Sequence, residues 1–180
     1  LVYQNDYDGT ISKSYVSGGL VSTEYNYATS IGGLAATNRG QISECYATAE
    51  LKASPAKWVG GLVGWLYSGE ITDCYTMGSV NAKELSGGFV GRMNSETKIT
   101  NCYSLNNVSV TTDGNAFVGE MRDGGGTITN SYYNSEMRLP KSTSEVSGVV
   151  AKDNDALKVV DLGSKWTKKE DVNSGYPYLK

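Results

Sequence analysis

The chain has 180 residues, enough for one domain with a hydrophobic core, and no apolar run approaches the ~18 residues that a membrane span needs. Its formal net charge is -3 and its Lys and Arg residues form no dominant cluster, which argues against nucleic-acid or membrane-surface partners. Histidine is absent, so the chain lacks the usual general base, the commonest transition-metal ligand and any Ser-His-Asp or Cys-His arrangement.

A five-residue pattern returns along the chain at a nearly constant interval. It consists of Ile, a hydroxyl residue, a polar residue, Cys or Ser, and Tyr, and it occurs at 11–15, 42–46, 71–75, 99–103 and 128–132. The tyrosines that end it are 31, 29, 28 and 29 residues apart, which gives a period of about 29. A second anchor precedes it as GGLAA at 32–36, GGLVG at 60–64, GGFVG at 87–91 and NAFVG at 115–119.

This period predicts an all-β fold, a parallel β-helix or β-solenoid of about five coils over residues 1–133. Each unit holds about three short β-type runs separated by Gly, Asn, Asp and Ser, and no unit can bury its apolar residues alone. A β-propeller is the competing fold, but its blades usually need ~40 residues or more. Because Leu1 and Val2 align with Leu62 and Val63, we expect the sequence to begin within a repeat, with further repeats of the same chain on its N-terminal side.

The pentapeptide predicts a corner in every coil. Strand alternation would place Ile71 and Cys74 on opposite faces, although both side chains favour burial. A kink at the polar residue between them resolves this conflict, so that Ile and Cys point inward and Tyr points outward. The residues at this position are Lys13, Glu44, Asp73, Asn101 and Asn130.

Cys45, Cys74 and Cys102 share one repeat position, which Ser14 and Ser131 take in the outer units. Stacked equivalent positions form a line and not a tetrahedron, which argues against a metal site. An in-register parallel pair fits disulfide geometry poorly, and an odd number of cysteines leaves one thiol over. We therefore expect a buried ladder of reduced thiols, with no metal and no cofactor.

Two sets of aromatic residues are the candidate binding residues. The pentapeptide tyrosines form a row, Tyr15, Tyr46, Tyr75, Tyr103 and Tyr132, which either stacks on sugar rings or packs upon itself and covers the coil. Trp58 and Trp65 flank the second GG anchor and have no counterparts in the other units. We expect no catalytic residues.

Residues 134–180 lose the period and are predicted to form a C-terminal cap with a short helix. The stretch 153–160 has the helical character, with Asp153 or Asn154 as its N-cap. An open solenoid end is an exposed strand edge, and a segment that carries Trp166, Tyr176 and Tyr178 is suited to cover it.

GGLVG at 60–64 followed by GEITDCYTMGSV at 69–80 resembles the GLUG repeat family, and the resemblance extends over residues 1 to about 133. Ala36, Phe89, Phe117 and the Asn115-Ala116 pair depart from the family pattern. The closing YPYL, after Trp166, is similar to the ending of such arrays. The resemblance implies a secreted or surface-anchored bacterial protein, often an adhesin, and in some relatives the non-catalytic part of an immunoglobulin-cleaving surface peptidase.

Three functions follow as hypotheses. The first is a non-enzymatic structural or adhesion module at the bacterial cell surface, whose partner is a host or cell-surface protein or glycan. The second is a carbohydrate-binding module that uses the tryptophans or the tyrosine row. The third is a polysaccharide-degrading β-helix enzyme, which would need a cluster of carboxylates, whereas the acidic residues here occur singly at non-equivalent repeat positions.

Overall fold

The structure, a computed structural model, describes residues 2–22, 29–54, 56–137 and 146–180. Parallel strands stack into a β-solenoid, as the repeat predicts, and very little helix is present. Leu1 lies outside the described residues, but Val2 pairs with Ala35, as the alignment of the first unit requires.

Each turn of the solenoid contributes to four sheets, which we name A to D in chain order. Sheet A contains Val2–Asn5, Ala35–Asn38, Val63–Leu66, Val90–Met93 and Val118–Met121. Sheet B contains Thr10–Ser12, Gln41–Ser43, Glu70–Thr72, Lys98–Thr100 and Thr127–Thr129. Sheet C contains Tyr15–Val16, Leu20–Ser22, Tyr46–Ala47, Glu50–Ala53, Tyr75–Ala82, Tyr103–Val110, Ser131–Asn134 and Val149–Lys152. Sheet D contains Ser30–Gly32, Trp58–Gly60, Ser86–Gly87 and Gly114–Asn115.

The remaining elements are short. They are the 3₁₀ turns Arg122–Gly124 and Asn173–Gly175, the helix Asn154–Lys158, and the strands Trp166–Thr167 and Tyr178–Leu179, which pair antiparallel. The five layers of sheets A and B enclose about four full turns with a period of about 28 residues. This confirms the predicted β-solenoid, and the sequence estimate of about five coils corresponds to the five layers.

The predicted corner is present in every layer. The residues at the polar position all have φ between 44° and 55°, in the left-handed region that breaks strand alternation: Lys13, Glu44, Asp73, Asn101 and Asn130. Ile71 and Cys74, on either side of one such corner, are both completely buried in the shared core. The kink thus turns both apolar neighbours inward, as the sequence predicts.

The glycine anchor forms a second corner, where sheet D meets sheet A. A Cβ on Gly60 would lie 2.0 Å from the Val63 carbonyl oxygen and 2.5 Å from the Gly91 nitrogen of the next turn. A Cβ on Gly61 would lie 2.1 Å from the Gly88 carbonyl oxygen. The paired glycines are therefore required because successive turns approach backbone to backbone here.

The cysteines form the expected ladder of free, buried thiols. The Cys45 backbone N–H donates to Cys74 Sγ at 3.4 Å, so this sulfur accepts a hydrogen bond from the backbone of the preceding layer. Each thiol also lies 3.1 Å from the carbonyl oxygen two residues earlier, as Cys102 does with Thr100. Burial raises the pKa of the Cys74 thiol well above its ordinary value. These thiols are packing groups within the core.

The C-terminal segment extends sheet C with its first part. Val149–Lys152 adds a parallel strand beside Ser131–Asn134, and Val146 joins the core next to the last layer. The helix Asn154–Lys158 follows, capped by the Asp153 side chain, which accepts from the Ala156 N–H at 2.7 Å. We call residues 153–180, which include this helix, the strap. The strap packs along the side of the solenoid. Trp166 packs against Tyr75 and Tyr103 on sheet C, the added strand pairs with the last strand of that sheet, and the assignment of residues 134–180 as a cap stays a prediction.

Candidate functional site

Four members of the tyrosine row, Tyr15, Tyr46, Tyr75 and Tyr103, form a stack on the outer side of sheet C. Ring centroids are 4.9 Å apart for Tyr15 and Tyr46, 4.8 Å for Tyr46 and Tyr75, and 5.2 Å for Tyr75 and Tyr103. The rings of each pair are parallel to within 10°. In-register strand pairing produces this geometry, because it holds equivalent side chains one strand spacing apart.

Stacking leaves little of this row for a ligand. A sugar that stacks on an aromatic ring needs the face of the ring, and here neighbouring tyrosines cover each other's faces. Exposure also varies along the row: Tyr15 is 61% exposed, whereas Tyr75 is 5% and Tyr103 is 0% exposed. Tyr46 and Tyr132 are half-buried. The row therefore presents mainly ring edges to solvent. It does so only outside its central part, which consists of Tyr75 and Tyr103.

The strap covers the centre of the row. The Trp166 ring lies 6.0 Å from the Tyr75 ring and 5.6 Å from the Tyr103 ring, measured between centroids. The Tyr103 hydroxyl donates to the Pro177 carbonyl at 2.5 Å and accepts from Asn173 Nδ2 at 2.9 Å. Burial raises the pKa of Tyr103 well above its ordinary value and that of Tyr75 in the same direction. These two candidate residues are thus part of an internal contact.

Polar corner residues hold the strap in place. Lys165 Nζ donates to Glu44 Oε1 at 2.6 Å, and Trp166 Nε1 donates to Asp73 Oδ1 at 3.1 Å. The hydrogen bond from Lys165 lowers the pKa of Glu44. Glu44 and Asp73 stand on successive corners, so they are the carboxylates that repeat stacking brings together. Both are engaged by the strap, which assigns them a structural role.

A second aromatic surface lies on the opposite part of the coil, on sheet A, at its corner with sheet D and in the loops that lead to sheet B. Two arginines lie there, and the guanidinium of each contacts two aromatic rings. We call this surface the arginine-aromatic face, and its members are Tyr7, Arg39, Trp58, Trp65, Tyr67 and Arg92.

The first stack of this face surrounds Arg92. Its Cζ lies 4.3 Å from the centroid of the Trp58 ring and 5.1 Å from that of Trp65. Trp58 Nε1 donates to Glu120 Oε2 at 2.6 Å, and Arg92 Nε lies 3.5 Å from the same oxygen. Trp65, Arg92 and Glu120 occupy one register position in adjacent strands of sheet A, which places them side by side.

The second stack surrounds Arg39. Its Cζ lies 4.9 Å from the centroid of the Tyr67 ring and 5.3 Å from that of Tyr7. The only carboxylate that pairs with it among the described residues is Asp6, at 3.7 Å from Nη1. The rings of Trp65 and Tyr67 meet edge to face with their centroids 5.0 Å apart, which joins the two stacks into one surface.

Both arginines have buried donors without acceptors. Among the described residues, neither Arg39 Nε nor Arg92 Nε has a hydrogen-bond partner, although both atoms are shielded from solvent. Arg92 is only 8% exposed, and its single close carboxylate oxygen already accepts from Trp58. Such unsatisfied donors are uncommon in folded proteins and point to a ligand or to solvent at the site.

The sequence predicted two of the six members of this face. Trp58 is 9% exposed and its indole N–H is bonded internally, so it supports Arg92 rather than presenting a free surface. Trp65 is half-buried, and its Nε1 donates to Asn94 Oδ1 at 3.0 Å. Sequence reasoning missed Arg39 and Arg92, and the signal that would have found Arg92 is its distance of one period from Trp65.

Two findings concern other kinds of site. Within residues 2–22, 29–54, 56–137 and 146–180, no group of three or more Cys, Asp or Glu side chains is arranged to hold a metal ion. No helix in that same part of the chain is both long enough and apolar enough to cross a membrane.

Comparison with known proteins supports the fold. No family model matches the chain, and no curated protein matches it. A crystal structure of a candidate immunoglobulin A1 protease from Bacteroides ovatus superposes with a TM-score of 0.71 at 22% sequence identity. The match covers 99% of this chain and 62% of that protein. At this identity the likeness shows a shared β-solenoid fold, and GLUG membership stays a prediction from the repeat residues.

Proposed function

We propose that this chain is a non-enzymatic structural and adhesion module of the GLUG-repeat type, carried by a secreted or surface-anchored bacterial protein. One observation carries the proposal: every repeat position is explained by the stacking of turns. The glycines permit close backbone approach, the Ile and Cys residues fill the core, and the central tyrosines pack beneath the strap. A chain organised in this way is a scaffold, and contacts with partners are left to residues outside the repeat pattern.

The location of the protein is testable in cells. Antibodies against the purified chain would be applied to intact bacteria that express the complete gene, with permeabilised bacteria as the reference. The proposal predicts labelling of intact cells, or protein in the culture medium. Labelling only after permeabilisation would overturn it.

The absence of catalysis is a separate part of the proposal. The chain contains no histidine, and its stacked carboxylates Glu44 and Asp73 are bonded to the strap. Purified protein incubated with immunoglobulin A1, with casein and with polygalacturonate is expected to leave all three intact. Cleavage that a purified Asp73→Asn variant lacks would contradict this expectation.

A second candidate function is an accessory, non-catalytic part of a surface peptidase. The specific support is the fold match to a candidate immunoglobulin A1 protease, of which this chain spans 62%. If this function is correct, the complete gene encodes a separate peptidase domain. Deleting the region that corresponds to this chain would then weaken substrate capture and leave cleavage of a small peptide unchanged.

A further inference from the structure

The geometry points to the arginine-aromatic face as a binding site for a polysaccharide that carries carboxylate groups. This inference rests on the proposed function, because it supplies the ligand class that an adhesion module would hold. The face extends over neighbouring turns, includes both stacked arginines, and consists of residues that the repeat does not require.

Each guanidinium is held in a defined plane. The Arg92 guanidinium lies over the rings of Trp58 and Trp65, which contact each other with centroids 5.4 Å apart, and the Arg39 guanidinium lies over those of Tyr7 and Tyr67, at 4.3–5.3 Å from the ring centroids. Stacking uses the faces of a guanidinium and leaves the N–H groups along its edge free to donate. The side chains are therefore already ordered, which lowers the entropic cost of binding.

The free donors fit a carboxylate. The Nε atoms of Arg39 and Arg92 are buried and have no hydrogen-bond partner among the described residues. A planar carboxylate accepts two parallel hydrogen bonds from the edge of one guanidinium. Asp6 and Glu120 already approach these edges at 3.7 and 3.5 Å, which shows that carboxylate groups can reach them. Asp6 is exposed and can yield its place to a ligand.

The neighbouring rings fit the sugar part of such a ligand. Tyr7 is 60% exposed, and Trp65 and Tyr67 are half-buried beside the arginines. Tyr46 and Tyr75 each stack on a tyrosine on both sides, whereas Tyr7 contacts a guanidinium and Trp65 meets Tyr67 edge to face, so part of the apolar surface of these rings stays open to the C–H groups of a pyranose.

The spacing of the arginines favours a polymer over a single acid. Arg39 follows the second strand of sheet A and Arg92 lies in the fourth, so they are two layers apart. At ~4.8 Å per layer this separates them by roughly 10 Å along the solenoid axis. A chain of sugars with repeated carboxylates engages both arginines at once, and the second contact is then intramolecular.

The test is a titration of the purified chain with polygalacturonate, dextran sulfate and neutral dextran at low salt. We expect saturable, salt-sensitive binding of polygalacturonate that is stronger than binding of dextran sulfate, and no binding of dextran. Arg92→Gln and Arg39→Gln should each weaken binding about 10- to 100-fold, the effect of a lost charged hydrogen-bond pair. Arg39→Lys, which keeps the charge but not the planar edge, should restore only part of the affinity.

Lys98→Gln is the matched control, because it removes one positive charge from sheet B, away from the face. Thermal unfolding would verify that each variant is folded, and Arg39→Gln, at a 30% exposed side chain, keeps the test usable if Arg92→Gln fails to fold. Equal binding of dextran, binding of dextran sulfate alone, no binding at all, or an equal loss in Lys98→Gln would overturn the inference. Such a result leaves the cell-surface labelling experiment unaffected, so failure of the site and failure of the proposed function are distinguishable.

Discussion

The two aromatic surfaces of this solenoid both contain rings that contact one another, and they differ in what else lies against those rings. On sheet C, tyrosines contact tyrosines, and the strap closes over Tyr75 and Tyr103. On sheet A, two guanidinium groups lie against the rings as well, and Tyr7 stays exposed. Residues that recur in every turn stabilise the stack, whereas residues that occur once are available for a ligand.

The difference extends to hydrogen bonding. The Tyr103 hydroxyl is buried with both a donor and an acceptor within 2.9 Å. Arg92 is also buried, at 8% exposed, but its Nε has no hydrogen-bond partner among the described residues. A satisfied polar group indicates a complete internal contact, whereas an unsatisfied one needs a ligand or solvent to complete it.

The largest expected effect is on the strapped side. Tyr103→Ala removes a fully buried ring from between the strap and sheet C, so we expect it to lower the free energy of unfolding by about 3–5 kcal/mol. Tyr15→Ala is the matched control, because Tyr15 belongs to the same row and is 61% exposed. Urea denaturation of both variants measures the difference, and equal losses would show that the strap does not close over the row.

Trp166→Ala should detach the strap while the solenoid stays folded. The ring contacts both Tyr75 and Tyr103, and its N–H is bonded to Asp73, so we expect a loss of about 3 kcal/mol. Limited proteolysis should then cleave within residues 153–180 first. Unchanged protease resistance of this segment would mean that the strap is held by other contacts.

On the arginine-aromatic face, Arg92→Met should lower the stability less than Tyr103→Ala does. Methionine preserves much of the side-chain volume and removes two cation-π contacts, which contribute about 1–2 kcal/mol together at a desolvated site. The change in urea midpoint relative to Tyr103→Ala measures the contrast between the surfaces. A loss as large as that of Tyr103→Ala would indicate that Arg92 is a core residue rather than a ligand-binding one.

Alkaline pH provides the gentlest probe of the strapped side. The pKa values of Tyr75 and Tyr103 are raised above 10.0 in the folded chain, mainly by burial. Their contribution to stability is therefore fully present below pH 10 and is lost as the pH rises towards the folded-state values, because the unfolded chain ionises first. Urea midpoints measured from pH 8 to 11 should fall above pH 10. Tyr103→Phe should make this decline shallower, and an identical decline would contradict burial of that hydroxyl.

The fold was predictable because solenoid stacking enforces the same rule at every turn. Ile71 and Cys74 stand an odd number of residues apart and both favour burial, which is enough to place a kink at Asp73. The paired glycines Gly60 and Gly61 likewise reflect a local steric requirement. Each of these features depends on neighbours that the period itself identifies.

The path of the strap and the arginine stacks could not be predicted in this way. Trp166 contacts Tyr75 across more than 90 residues, and no repeat signal encodes where a terminal segment folds back. Arg39 and Arg92 occur once each, and periodicity places Arg92 beside Trp65 but does not show that its guanidinium stacks on the rings. Their role depends on which rings lie beside them in space, and that is fixed by loop conformation and by pairing between turns.

Hydroxyl-radical footprinting with and without polygalacturonate is the most direct comparison of the two surfaces. We predict that the polysaccharide protects Tyr7, Trp65 and Tyr67 from oxidation and leaves Tyr15 and Tyr46 unchanged. Protection of Tyr15 and Tyr46, with the arginine-aromatic face unaffected, would contradict the assignment and would make the tyrosine row the contact surface.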